Sequence, residues 1–511
     1  MDNYKLKLTI FILLIVSLLV TLFYAIFGFS LSYLSEEDIK DGRKLKEDLI
    51  SFLKINNLDT VYDRENNIYY YVVPEDYEKQ KYTLKLELDS GFRYKILDHI
   101  TNIITVNYNK DYNILIYNDD YYYETKVRLT NLPIVSVTTD TDITDNDTNA
   151  VFKYINPYNL DKILTYNSKV HIRGATSRWY DKKSYKVEIY DKDFEKEKNI
   201  NISNFYYGSS FILDAMYRDH SKIRNVFSSE IWNIISDDFT NIDIYSEYVE
   251  VFINGEYRGL YAFTEPVNRK NLNLNKSTLN DTSVIVKSNE STIPDKDDKF
   301  IGINEDVYLD YELKYPNDSE LFNKSWEEVL NKISILYNED IEKTEEELNK
   351  ILDINNYVDM LIFNSFIGNN DNDLRKNNYF YLKNLSSKLN IQPWDMEFTF
   401  GLRFSEKTKY NFEKDLEDYK NIDMKIPNED VVKLKKLIIN RYWNLRRNVL
   451  SEKYLDELLN SYREQLSKGS AKRDSKLWLE YDVEVEIEDI RTWVHNRIKI
   501  YDNYIRSLEN E

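Results

Sequence analysis

Three stretches of this 511-residue chain combine residue types that do chemistry. The first is "RGATSRWYDKKSYKVEIY", Arg173 to Tyr190, where a glycine among polar residues precedes lysines and an alternating apolar run. In an extended chain Tyr185, Val187 and Ile189 fall on one side and Ser184, Lys186 and Glu188 on the other, so the run reads as a strand with one face on a core. Fixed positive charge at the mouth of such a strand suits phosphate. Lys183 would neutralise phosphate oxygens while backbone N–H groups around Gly174, Thr176 and Ser177 cradle them. A solvated, lysine-rich strand entrance accounts for the same letters.

The second stretch is "FIGNNDNDLRKNNYFYL", Phe366 to Leu382. Asp371, Asp373, Asn377 and Asn378 crowd between an apolar helix expected over 358–367 and a strand expected over 379–382. Asp373 and Asn378 have the spacing with which protein kinases set a hydroxyl-orienting aspartate and a metal-binding asparagine. A helix cap followed by a polar turn explains the run equally well. The third is "IQPWDMEFTFG", Ile391 to Gly401. If extended, Asp395 and Glu397 point the same way, and two carboxylates so placed call for a cation or a proton between them. A lysine salt bridge would serve too.

Composition narrows the chemistry. A formal net charge of −20 argues against nucleic acid, whose backbone demands a basic face. Cysteine is absent, which removes disulfides, thiolate nucleophiles and thiolate metal sites. The four histidines, His99, His171, His220 and His495, are too scattered for a histidine-built zinc site. Carboxylates, lysines, hydroxyls and hard cations such as Mg²⁺ remain. At 42% hydrophobic and 14% aromatic the chain is apolar enough to fold.

The elements that must position these residues follow. Leu8 to Ser35 carries no charge and is long enough to span about 30 Å of hydrocarbon. It lacks the small-residue cleavage site of a signal peptide. An uncleaved anchor over 1–35 is therefore expected, with Glu36-Glu37-Asp38 and the rest of the chain outside the cytoplasm. Residues 36–57 read as an amphipathic helix, with Leu45, Leu49, Phe52 and Leu53 at helical spacing. From 60 to 130 the pattern turns to strands such as "TLKLEL", giving a small β-rich region over 36–131. Asp140 to Asn149 lacks the glycine and final glutamate of an EF-hand loop and reads as a solvated loop. "VEVFINGEYRGLYAF" reads as a hairpin turning at Asn254-Gly255. Beyond about 320 helices dominate, with a stripe of Leu434, Leu437, Ile438 and Leu445 and with Trp443, Trp478 and Trp493 packing them together.

Taken in order, these segments resemble the CotH family, spore-coat-related proteins with an atypical protein-kinase-like fold. "IRGATSRWYDKKSYKVEIYDK" is similar to the family's R-G-x-S-S…P-K-K-S-Y motif, "FILDAMYRDHSKIRN" to its D-x-S-x-x-R-N segment, and "VFINGEYRGLYAFTEPV" to its G-x-Y…E hairpin. The Asn/Asp loop and "IQPWDMEFTFG" look like the family's corresponding loop and its W-D-x-D…G segment. The helical tail, "RYWNLRRNVLSEKYL" and "IRTWVHNRIKIYDNYI", fits as well. The resemblance spans about 132–505 and implies an α+β, kinase-like domain over 132–506 with a helical part from about 410. It implies ATP- and Mg²⁺-dependent phosphorylation of serine or threonine on a protein substrate of the envelope or spore coat. A catalytically inactive surface protein on the same fold is the alternative. By position, Arg173, Gly174, Thr176 and Ser177 would line the phosphate site, Lys183 or Lys186 would pair with phosphates, and Glu265 would orient that lysine or touch nucleotide. Asp373 or Asp371 would position the acceptor hydroxyl, Asn378, Asp395 and Glu397 would hold metal, and Trp394 would stack on adenine. Thr176 stands where the family has serine, Asp181 where it has proline, and Glu397 where it has a second aspartate.

Overall fold

The structure is a computed structural model. It describes residues 43–44 and 53–510, apart from 75–76, 78, 98, 100, 158–162, 203–206, 237–241, 296–299, 301, 338–344, 370, 373 and 403–431. The architecture is mixed α/β. Among the described residues no helix is long and apolar enough to cross a membrane, and the expected anchor at 8–35 lies outside them.

An N-terminal sheet runs in the order Val61–Asp63, Ile68–Val72, Tyr121–Thr130, Asp111–Tyr117, Arg93–Ile96. Its second strand, "IYYYV", is buried at every position because both faces are covered. Tyr69 and Tyr71 enter a small core with Ile114, Ile116 and Val127, while Ile68, Tyr70 and Val72 pack on Ile134, Phe252 and Tyr257 of the next layer. The amphipathic helix expected over 36–57 is not borne out where the chain is described. Arg43–Lys44 pairs alongside Tyr121 and Tyr122, and Lys54–Ile55 pairs with Leu58–Asp59. Asn56 and Asn57, both at positive φ, make the two-residue turn between them. Asparagine tolerates that conformation, and a pair of them sets hairpin geometry against helical spacing.

The next layer is a closed seven-stranded barrel, in the order Ile134–Thr138, Thr148–Ile155, Leu164–Arg173, Ser184–Tyr190, Ser210–Asp214, Glu256–Thr264, Ser246–Ile253. All neighbours are antiparallel except the first and last, which close the barrel in parallel. Alternation fills the inside: Tyr185, Val187 and Ile189 join Phe152, Phe211, Phe263 and Val251 in the barrel core. Strand pairs meet at Asn254-Gly255, both at positive φ, as the Asn-Gly pair requires.

A five-stranded antiparallel sheet follows, in the order Val307–Tyr308, Tyr311–Tyr315, Val284–Ser288, Asn378–Leu382, Leu389–Pro393. Helices Phe322–Tyr337 and Ile354–Ile367 cover it, helix Arg224–Ser236 packs between the second of these and barrel strand Ser246–Ile253, and the C-terminal helices Val432–Arg447, Glu452–Ser467 and Val483–Asn510 join them in one core with Trp232, Trp326 and Trp493. Helix Ile354–Ile367 is apolar almost all round because it lies inside this core. Asp353 caps its start and Gly368, at φ +58°, ends it, which delivers the chain into the Asn/Asp loop.

Candidate functional site

A cleft of about 660 Å³ opens between the mouth of the barrel and the five-stranded sheet. Its barrel side begins where strand Leu164–Arg173 ends. Gly174 sits at φ +106°, and a Cβ there would fall 1.9 Å from Ser177 Oγ, so only glycine lets the following 3-10 turn, Thr176–Trp179, fold back. Arg178 Nε braces the turn by donating to the Gly174 carbonyl at 2.7 Å. Arg173, Gly174, Thr176 and Ser177 all line the cleft.

The lysines of this stretch go elsewhere. Lys183 Nζ donates to the carbonyls of Arg178 (2.9 Å) and Tyr180 (2.5 Å), holding the turn from behind. Lys186 lies between His171 and Ile212 but ion-pairs with Glu188 at 2.6 Å. Neither lines the cleft. Lys182 is fully buried and donates to the Asp474 carboxylate at 2.6 Å and to the Leu260 carbonyl at 2.5 Å. Glu265 also lies off the cleft. It accepts from the Tyr245 N–H at 2.9 Å and from the Asn271 amide, and burial pushes its carboxyl up to about 7 against those hydrogen bonds.

On the floor stand three carboxylates. Asp395 and Glu397 line the cleft together, though not as two positions of one strand. The strand ends at Pro393 and Asp395 takes a left-handed backbone, φ +56°. The third, Asp214, ends barrel strand Ser210–Asp214 and was not singled out from sequence. Asn225 ties it to the other two: its Nδ2 donates to Asp214 Oδ2 at 2.8 Å and its Oδ1 accepts from the Met396 N–H at 2.9 Å. The neighbouring Arg224 is clamped by Asp219 at 2.5 Å and donates through Nε to the Thr399 carbonyl at 3.0 Å. "DHSKIRN" is thus a set of struts under the acidic segment. Burial raises Asp395 and Glu397 above the usual carboxylate range, and Asp214 adds to both. Glu397 reaches about 8, with Asp395 also pushing it up, while Arg173 and Lys287 partly offset the rise at Asp395.

Facing these acids are Arg173, whose guanidinium lies 5.7 Å from the Trp394 ring centre, and Lys287 on strand Val284–Ser288. Lys287 makes no ion pair among the described residues; burial holds its ammonium below the ordinary lysine range, with Asp395 opposing. Sequence reading passed over it, although a lone lysine ending the apolar run Val284-Ile285-Val286 is the available signal. Trp394 is 8% exposed, lines the cleft, and meets Tyr379 edge-on at 5.7 Å.

The Asn/Asp loop closes the far side. Asp371 lines the cleft, ion-paired to Lys376 at 3.0 Å and accepting from Asn377 Nδ2 at 2.9 Å. Asp373 lies outside the described residues. Asn378 is buried behind the loop, its amide exchanging two hydrogen bonds with Asn372 at 2.8 and 3.0 Å; Asn377 is the asparagine that faces the cleft. The structure therefore brings Asp371, Asp395, Glu397, Trp394 and the Arg173–Ser177 turn to one cleft, and leaves Lys183, Lys186, Glu265 and Asn378 outside it.

A barrel and a helix-backed sheet thus meet at a cleft that sets carboxylates and an indole beside the cations Arg173 and Lys287. The chain belongs to the CotH kinase protein family, whose model matches residues 170–501. No curated protein matches the sequence.

Proposed function

We propose that this chain is a membrane-anchored protein kinase that transfers the γ-phosphoryl group of ATP to serine or threonine of envelope or coat-type proteins. The observation that carries the reading is the juxtaposition of Asp214, Asp395 and Glu397 with Arg173 and Lys287 in one cleft. Phosphoryl transfer asks a protein for positioning and charge rather than covalent chemistry. Arg173 and Lys287 supply fixed positive charge for phosphate oxygens. Trp394 offers an aromatic surface for a base. Asp371 orients the acceptor hydroxyl and takes its proton as oxygen bonds to phosphorus and the bond to the leaving diphosphate breaks.

Three carboxylates are hard-oxygen donors, the kind that suits Mg²⁺. Among the described residues no three acids converge closely enough to cage an ion. That fits a cation held by one or two carboxylates, with substrate phosphates and water as the other ligands. Asp395 and Glu397, with Asp214 beside them, would hold it, and it would neutralise charge on the phosphates. The apolar run at 8–35 supports anchorage, with the cleft outside the cytoplasm.

Calorimetry with Mg·ATP, run beside phosphate transfer to a generic protein acceptor, tests the reading. Binding that needs Mg²⁺ and falls in Asp395→Ala, with transfer lost in Asp371→Ala, is the expected result. Wild type that binds nucleotide without transferring phosphate favours the second reading, an inactive binding protein. That reading is supported by the engagement of Asp371 with Lys376 and Asn377.

A further inference from the structure

Tryptophan is the bulkiest apolar side chain, and folding normally buries most of it. Of the seven tryptophans here only Trp179 is exposed, at 81%, while Trp232, Trp326, Trp394 and Trp493 are 8% exposed or less. It ends the 3-10 turn Thr176–Trp179 at the mouth of the cleft, and both its chain neighbours, Arg178 and Tyr180, line that cleft. The turn is not slack. Arg178 Nε donates back to the Gly174 carbonyl, and Lys183 Nζ grips the carbonyls on either side of Trp179, those of Arg178 and Tyr180. The indole itself makes no hydrogen bond or ring contact among the described residues. A large apolar ring is thus held in water by a braced backbone, which costs free energy in the isolated chain.

Contacts lead from this ring to the acids. Tyr180 stacks on Tyr217 with ring centres 5.1 Å apart. One residue on, the Arg218 guanidinium lies 6.0 Å from the Phe398 ring centre, and the Arg218 N–H donates to Glu397 Oε1 at 3.2 Å. Tyr180, Glu397 and Phe398 all line the cleft. An aromatic strip therefore reaches the carboxylate floor from Trp179 on the barrel side. Trp394 and Lys287, the groups given to nucleotide, stand instead on or beside the five-stranded sheet. Negative charge surrounds the ring. Asp181 is exposed two positions on, and the exposed acids Asp140, Asp142, Asp145 and Asp147 share a loop tied beside the turn, by Asp145 to Arg178 at 3.1 Å and by Asp147 to His171 at 2.7 Å. These acids repel an anionic lipid surface. A second copy of the chain would bring the same charge against them.

We propose that Trp179 heads a docking strip for the acceptor polypeptide, which lays an aromatic or large aliphatic side chain on the indole. Its serine or threonine then passes Tyr180 and Phe398 to reach the acids. The proposal rests on the kinase reading above for the hydroxyl that is delivered. Tryptophan is among the residues that dominate binding surfaces, and a ring fixed in advance spares the cost of ordering it.

The test uses the full chain, Mg·ATP, an alanine-rich peptide with a single serine, and the set in which each alanine in turn becomes phenylalanine. At the favoured position phenylalanine should lower KM about tenfold or more, the gain expected from burying one such ring. Trp179→Ala should lose that gain and Trp179→Phe keep most of it, while calorimetric affinity for Mg·ATP does not follow. A second readout needs no transfer: with Mg·ADP, the best peptide should shield the exposed tryptophan from acrylamide quenching. Shielding without phosphate transfer supports the strip and sinks the kinase reading. Transfer in which Trp179→Ala keeps the full gain sinks the strip alone. The strip also falls if no phenylalanine peptide gains in either readout, or if Mg·ATP affinity drops as far as peptide affinity, since the ring then covers nucleotide. Shielding without peptide, when the chain moves from detergent micelles into phosphatidylglycerol vesicles, would assign the ring to lipid and overturn it as well.

Discussion

Replacing Asp474 by alanine should cost the fold about 3–5 kcal/mol, the range found when one member of a buried ion pair is removed. Asp474 comes from the C-terminal helix Ser470–Leu477 and is buried against the barrel. It accepts from Lys182 Nζ at 2.6 Å, the Leu260 N–H at 2.9 Å and the Tyr481 hydroxyl at 3.0 Å, and Lys222 Nζ lies 3.4 Å away. Burial works against its carboxylate, but Lys182 and Lys222 outweigh it and hold Asp474 below the usual range. Burial, opposed by Asp474 and reinforced by Lys222, has already brought Lys182 down to about 8. Without Asp474 that ammonium escapes by losing its proton, which from about 8 costs at most about 1.4 kcal/mol at pH 7. The Leu260 amide and the Tyr481 hydroxyl, both left without an acceptor, add about 1–3 kcal/mol each.

Urea unfolding followed by tryptophan fluorescence measures the total. Because native domains are stable by only about 5–15 kcal/mol, the variant should be marginally folded. The deficit should shrink by about 1 kcal/mol between pH 7 and pH 9, where Lys182 is neutral in both proteins. Lys182→Met placed on Asp474→Ala should recover part of the loss, because no ammonium is then stranded. A deficit below about 1 kcal/mol, or a double variant worse than the single one, would refute the reasoning.

The same junction can be stressed from the other side: Gly259 sits at φ +100° with Asp474 Oδ1 only 2.2 Å from where a Cβ would stand, so Gly259→Ala should destabilise by about 2–4 kcal/mol in the same urea assay. Glu265, at about 7 in the fold against 4.5 for an ordinary glutamate, binds a proton more tightly folded than unfolded. Its contribution is therefore full below about 4.5 and lost as pH rises through about 7, worth up to about 3 kcal/mol, and a pH series of melts should lose that slope in Glu265→Gln. Lys287→Ala should weaken Mg·ATP binding by about tenfold or more while Lys183→Ala leaves affinity near wild type, because only the former faces the cleft; equal effects in calorimetry would return the phosphate role to the lysine-rich turn.

What the sequence made legible was periodicity and turn chemistry. The barrel face of Tyr185, Val187 and Ile189, the Asn254-Gly255 hairpin and helix Ile354–Ile367 are local patterns, and each appears where its pattern placed it. Direction of long side chains was not legible. Lys182, Lys183 and Lys186 lie within five positions, yet one enters a buried ion pair, one braces a turn and one pairs along its strand. Those fates are decided by Asp474, the Arg178 and Tyr180 carbonyls and Glu188, and the first of these lies 292 positions away. Lys287 was missed for the converse reason. It stands in an otherwise apolar strand with no neighbouring glycine or acid, and only the meeting of two sheets gives it a site.

The segment "DHSKIRN" explains why the acidic cleft is held rather than merely present. Asp395, Glu397 and Asp214 come from two separate elements, and burial with mutual repulsion raises the first two. Like charges of this kind would drift apart unless the backbone under them were fixed. Asp219 fixes the start of helix Arg224–Ser236 by accepting from the Arg224 N–H at 2.8 Å, and it pins the Arg224 guanidinium. Arg224 then holds the Thr399 carbonyl, and Asn225 holds Asp214 with one end of its amide and the Met396 N–H with the other. Asn225 can do this because an amide both donates and accepts; aspartate at that position would lose the donor to Asp214 and add a fourth negative charge. Asn225→Asp should therefore loosen the acidic segment more than the isosteric change suggests, lowering affinity for a divalent cation even though it adds a potential ligand. Calorimetry with Mg²⁺ in the presence of nucleotide decides it, and tighter binding in the variant would mean that Asn225 acts as a spare ligand and not as a strut.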